Sequence, residues 1–201
     1  PAVPTVTYRH QAGLPKGLEP DEVRRILASC DTTSDNGVRD LAILTLLVRL
    51  GLRRCEVSRL GLDDIDWRAG TICVHGKGNC LERLPLPVDV GHYLAQYLRH
   101  ARPAKARGRT VFVRHFAPYN ALSECRVSTS VADAARRAGV GRVHAHRLRH
   151  TAATQLLRAG ASLPEVGQVL RHRRAQTTAI YAKVDLDTLR MIAGPWPEDA
   201  Q

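Results

Sequence analysis

Apolar positions recur with a helical period along most of the chain and alternate with a strand period in one short region. From Pro20 onward, Val23, Ile26 and Leu27 hold one face of a first helix. Val38, Leu41, Ala42, Leu44, Leu47 and Val48 make a second that is apolar on most sides, which Gly51 is placed to end. A short helix is expected over Arg54 to Leu60. Thr71 to His75 and Leu81 to Leu86 are β-prone runs flanking Gly76-Lys77-Gly78-Asn79, the composition of a tight hairpin, and they predict a small antiparallel sheet. Val88 to Leu98 reads as helix, the Arg- and Pro-containing stretch to Gly108 as loop, and Val127 to Ala138 as helix, with Gly139 and Gly141 breaking the chain. A helix over His146 to Ala159 puts Leu148, Ala152, Leu156 and Ala159 on one face. Ser162 and Glu165, ahead of Val166, Val169 and Leu170, form a capping-box start for another helix. A short helix through Ala179 to Lys183 and a last one over Asp185 to Ile192 would follow, stopped by Gly194, Pro195 and Pro197. The fold class expected is mainly α with a small antiparallel β-sheet, an α+β domain.

Residues 1–16 are rich in Pro with no regular period and read as a linker or tail. Residues 17–194 are expected to form one compact domain and 195–201 a C-terminal tail. The chain begins with Pro, not Met, which suggests a fragment or a processed product with something upstream.

Charge adds a partner class. Thirty Lys and Arg against nineteen Asp and Glu give a formal charge of +11, and so basic a protein usually meets a polyanion: DNA, RNA or an anionic membrane surface. The apolar stretch from Leu41 to Leu50 is interrupted by Thr45 and Arg49 and is too short to span a bilayer, which weakens the membrane reading. Composition also has a bland explanation, since only four of the basic residues are Lys and a GC-rich genome would enrich Arg without any functional demand. Placement says more. Arg99, Arg102, Lys105, Arg107, Arg109 and Arg114 follow one another with no acid between them, and Arg142 to Arg174 holds seven Arg against the single acid Glu165. Two such zones suit phosphate contacts. The five cysteines (30, 55, 73, 80 and 125) are odd in number, contain no Cys-x-x-Cys pair and follow no signal-peptide pattern, so a reducing cytoplasm is the expected compartment.

Candidate chemistry lies in His146-Arg147-Leu148-Arg149-His150, where helical spacing puts His146, Arg149 and His150 on one side. Arg offers a planar fork of donors to a phosphodiester and His offers proton transfer; a solvated basic helix face is the alternative reading of the same pentapeptide. A metal site at His144, His146 and His150 is disfavoured, because the helix begins between the first two and the crowded Arg would repel a cation. Three further features accumulate. Arg53 follows the buried second helix, with Glu56 three residues on to orient it. Lys77 stands between two glycines at the hairpin tip. Leu170-Arg171-His172 precedes Tyr181 by nine residues, counted from the His, and alone Tyr181 would read as a packing residue.

In this order, Arg53, Lys77, His146 with Arg149, His172 and Tyr181 resemble the tyrosine recombinases, including phage integrases and Xer-type enzymes, over about Lys16 to Ile192. The resemblance implies that Arg53 and Arg149 are the two catalytic arginines, Lys77 the hairpin lysine that protonates the leaving 5′ oxygen and His146 an acid or base toward Tyr181. It also implies that His172 donates to the phosphate and that Tyr181 is the nucleophile. Glu56 corresponds to a supporting acid, and His150 to a residue of packing or support. One departure is clear: relatives commonly carry Gly before the later His, where this chain has Arg171.

The implied activity is site-specific DNA recombination through a 3′-phosphotyrosyl intermediate, with neither cofactor nor metal and no small-molecule substrate. The implied partner is double-stranded DNA, engaged when full length by a homo-tetramer on two duplexes and with the help of an N-terminal DNA-clamping domain. A type IB topoisomerase-like strand transferase and a non-catalytic helical DNA-binding regulator are the two alternatives.

Overall fold

The computed structural model describes residues 17–76, 81–171, 178 and 181, and every structural statement here concerns those residues. In chain order the elements are α1 (Pro20–Ala28), α2 (Asp35–Arg49), α3 (Arg54–Arg59), β1 (Ile65–Asp66), β2 (Thr71–His75), β3 (Leu81–Pro85), α4 (Val88–Gln96), α5 (Glu124–Arg137), α6 (Ala145–Arg158) and α7 (Leu163–Val169). The helices expected through Ala179 to Lys183 and Asp185 to Ile192, the Lys77 hairpin tip and residues 1–16 and 195–201 lie outside the described residues.

The central element is α2. Ser34 caps its first turn by accepting from the Gly37 amide at 3.1 Å, as a short hydroxyl before a helix commonly does. Every residue from Leu41 to Val48 is buried, because α1, α4, α5 and α6 all pack against α2. One buried polar group is built into this packing: Arg39 donates through Nε and Nη2 to Asp40 Oδ1, and Ser130 of α5 donates to the same oxygen at 3.0 Å. The charges are paired and bonded, the condition under which an arginine is tolerated in a core.

The sheet is antiparallel in the order β1-β2-β3, with His75 opposite Leu81 at the open end that leads into the hairpin tip. Its two long strands coincide with the predicted ones. The edge strand β1, only two residues long, was not expected. Two further differences concern helix α4 and the chain after it. Beyond Gln96 the helix continues over Tyr97–Ala101 with wider winding, Arg102 N–H reaching back five residues to the Tyr97 carbonyl at 2.7 Å. Val111, Phe112 and Val113, given no element from sequence, are fully buried in irregular backbone. Tyr97 stacks on Phe112 with centroids 5.3 Å apart and accepts from the Val113 amide. No helix among the described residues is long and apolar enough to cross a membrane.

Candidate active site

The site begins where α2 stops. Gly51 adopts φ +57°, and a Cβ there would lie 2.5 Å from a Leu170 methyl. Only glycine accepts both the left-handed backbone and the approach of Leu170. Leu52 is buried, and Arg53 becomes the residue that caps α3 with extended backbone. Glu56, three residues into that helix, reaches back to the Arg53 amide at 2.7 Å and also takes the Arg53 Nη1 at 2.7 Å. One carboxylate thus starts the helix and aims the arginine, the reciprocal logic of a capping box.

Arg149 comes from the middle of α6 and is 3% exposed. Its Nη1 donates to the Gly51 carbonyl at 2.5 Å and its Nη2 to the Leu170 carbonyl. The guanidinium therefore joins the free C-terminal carbonyls of α2 and α7, positions that ordinarily lack helical partners. Burial, reinforced by the Arg53 and Arg171 charges, pulls its pKa down to about 10, so it stays charged at neutral pH.

Helix α7 opens with Glu165 accepting from both the Ser162 amide and the Ser162 hydroxyl at 2.7 Å and closes at Leu170. Arg171 follows with φ +56°, the left-handed position after a helix where glycine is usual and a side chain costs about 1 kcal/mol. Its side chain turns into the site. Nη2 donates to Glu56 Oε2 at 2.8 Å and Nη1 to the Val169 carbonyl at 2.9 Å, and Nε stands 4.0 Å from Glu82 Oε2 of β3. Arg53 Nη2 in turn donates to the Arg171 carbonyl at 3.1 Å. Burial pushes the Glu56 carboxyl up, but the Arg171 charge and the Arg53 hydrogen bonds outweigh it and hold the group below its ordinary value.

Tyr181 is 2% exposed, packed with Ala153, Val166 and Leu170. Its hydroxyl hydrogen-bonds His150 Nδ1. Burial raises the phenol to about 12, against a partial downward pull from Arg149. Burial, then the His146 and Arg149 charges, brings His150 down to about 4, so its ring is neutral near pH 7. His146 meets His150 edge-on at 4.3 Å between centroids, and burial and the neighbouring arginines lower it too.

Arg53, His146 and Arg149 line one open cleft of about 610 Å³, together with Leu52, Arg54 and Ser128 among others. The structure thus brings together Arg53, His146, Arg149 and, through His150, Tyr181. Lys77 and His172 lie outside the described residues. Two participants were under-read in the sequence. His150, assigned to support, is the partner of the Tyr181 hydroxyl, and its place one turn beyond His146 on the same face was the available signal. Arg171, in sequence only a departure from the family pattern, places its guanidinium in the site. Among the described residues, no three His, Cys, Asp or Glu side chains converge as metal ligands would.

The chain matches the phage integrase family over residues 16–187. It is 47% identical over 203 residues to y4rA of Sinorhizobium fredii, named provisionally as an integrase/recombinase, covering 100% of this chain and 49% of that protein. It is 35% identical over 189 residues to the tyrosine recombinase XerD of Listeria innocua, covering 92% of this chain and 63% of XerD. The XerH site-specific recombinase, solved bound to a palindromic difH substrate in a post-cleavage complex, superposes with a TM-score of 0.77 at 25% identity, covering 92% of this chain and 54% of XerH. The chain therefore spans about half the length of y4rA and of XerH.

Proposed function

The chain belongs to the phage integrase family, the tyrosine recombinases, and from that premise we propose that it carries out the strand cleavage and rejoining of a site-specific DNA recombinase. The Tyr181 hydroxyl oxygen attacks a scissile DNA phosphate and forms a 3′-phosphotyrosyl bond. The bond to the 5′ oxygen breaks, and that oxygen leaves as a hydroxyl. A second 5′ hydroxyl then attacks the phosphotyrosine, restoring both a phosphodiester and the free tyrosine. Two matched transesterifications conserve the ester energy, so the scheme uses neither cofactor nor metal.

The observation that carries this reading is a tyrosine hydroxyl bonded to a neutral histidine, beside two guanidiniums, one of which is part-exposed on a cleft. Arg53 and Arg149 are assigned to the non-bridging oxygens, where donors fixed in advance stabilise the charge of the pentavalent transition state. His150 is the immediate proton partner of Tyr181, with His146 behind it facing the cleft. Lys77 is assigned as the acid for the leaving 5′ oxygen and His172 as a donor to the phosphate. The partner is double-stranded DNA, in keeping with the XerH complex, and the acting assembly is a homo-tetramer on two duplexes, with residues 1–16 the linker from an N-terminal DNA-clamping domain. The free thiols of Cys30, Cys55, Cys73 and Cys125 support placing this activity in the reducing cytoplasm.

The test is covalent trapping. The protein is mixed with nicked suicide duplexes from DNA flanking its gene, denatured and resolved. The expected result is a protein–DNA band, lost in Tyr181→Phe. Binding to a proven site without any such band would favour a non-catalytic DNA-binding regulator, and relaxation of plasmids without site dependence a topoisomerase. Lys77→Ala should slow cleavage and be rescued by a 5′-bridging phosphorothiolate, whose leaving group needs no acid.

A further inference from the structure

We infer that Arg171 is a positioning residue for Arg53, setting both its orientation and the positive charge it presents to the scissile phosphate; the inference rests on the recombinase reading above. Three observations converge on it. The Arg171 carbonyl, presented by a left-handed backbone at φ +56°, accepts from Arg53 Nη2 at 3.1 Å. The Arg171 guanidinium takes Glu56 Oε2 at 2.8 Å, the same oxygen that caps the Arg53 amide, while Arg53 holds Oε1. Finally, the Arg171 side chain is 2% exposed and Glu56 1%, whereas Arg53 is 38% exposed, so of the two arginines on this carboxylate only Arg53 has substantial access to a bound duplex.

The consequence is electrostatic. An arginine sharing a buried carboxylate with no competitor would form a nearly neutral pair and offer little to a phosphate. Here a second buried guanidinium shares Glu56, so the trio of Arg53, Arg171 and Glu56 carries a net positive charge in a medium of low effective dielectric. Among the described residues Arg171 Nε has no hydrogen-bond partner, and it lies at ion-pair distance from Glu82, the second residue of β3. A glycine at 171 would keep the carbonyl but lose the guanidinium. The charge-setting role therefore belongs to the side chain that this chain has in place of glycine.

The experiment compares wild type, Arg171→Gly and Arg171→Lys by the rate of covalent complex formation on a suicide duplex, as a function of DNA concentration, alongside thermal midpoints. Glycine relieves the left-handed backbone, so the fold is expected to survive it. The expected result is a rate at saturating DNA about tenfold lower for Arg171→Gly, a half-saturating DNA concentration within about twofold of wild type, and partial recovery of the rate in Arg171→Lys, which restores a cation. Wild-type rates in Arg171→Gly would overturn the inference. So would equal losses in both variants that track lowered thermal midpoints, since those report packing alone. A wild-type protein that binds its site but forms no covalent complex would overturn the recombinase reading itself, and this inference with it.

Discussion

Among the described residues, two arginine clusters, one wholly buried and one reaching an open cleft, are built on opposite principles. In the first, Arg39 spends two of its donors on a single oxygen of Asp40, which Ser130 completes. In the second, Arg53 and Arg171 share Glu56, and Arg149 is held by the carbonyls of Gly51 and Leu170 with no carboxylate among the described residues bonded to it. The first cluster is self-contained and joins α2 to α5. The second holds more positive charge than its own hydrogen-bonded carboxylate balances, next to an open cleft. A buried arginine by itself therefore says little about function, and the informative quantity is whether its charge is closed within the protein.

The contrast can be broken at several points. The largest effect is expected beside the second cluster: Tyr181→Phe should abolish the denaturant-resistant DNA complex while leaving DNA binding near wild type, measured by gel shift before and after denaturation. Next is the first cluster. Arg39→Ala leaves Asp40 buried and uncompensated, and should lower the urea unfolding free energy by about 3–5 kcal/mol. The double replacement of Arg39 and Asp40 by Leu should recover most of that loss. Arg53→Ala should do the reverse, cutting the single-turnover cleavage rate by about 10²–10³ with little change in thermal midpoint, because Glu56 keeps Arg171. A rate loss in Arg39→Ala as great as in Arg53→Ala, at matched stability, would erase the distinction.

The smallest expected effect concerns acid. His150 has a folded pKa of about 4 against 6.5 ordinarily, so the unfolded chain binds a proton that the native one refuses. Stability is then full above about pH 6.5 and falls as the pH drops toward 4, by up to about 3 kcal/mol at about 1.4 kcal/mol per pKa unit. Urea titrations at pH 7 and pH 4.5 should show the loss in wild type and a smaller one in His150→Asn.

Much of this was legible in the sequence, for a physical reason. α2, α6 and the β2–β3 hairpin are specified by local periodicity and turn composition, which survive in a single chain. The opening of α7 was readable from Ser162 and Glu165, although the serine hydroxyl bonds the glutamate and not the helix amides. What escaped depends on contacts far apart in sequence. Arg149 and His150 fall on the polar side of α6 by pattern, yet both are buried, because that side meets Gly51, Leu170 and Tyr181 and not solvent. Val111 to Val113 carries no regular period and is buried by Tyr97 and its neighbours. Arg171 breaks the usual helix-end preference for glycine, and only its partner Glu56, 115 residues away, gives that exception a meaning.

The span of those bonds sets an order of events during synthesis. Arg53 is anchored by a carbonyl 118 residues downstream, and Arg149 reaches back 98 residues to Gly51. At roughly 5–20 residues per second, a ribosome that has just delivered Arg53 needs roughly 6–24 s more to deliver its anchor. During that interval the earlier helices can already pack, but Arg53 and Arg149 still lack the carbonyls of Arg171 and Leu170 that hold them in the folded geometry. The arrangement of the two arginines therefore waits on residues 170 and 171, and a polypeptide truncated before residue 170 would be born without it.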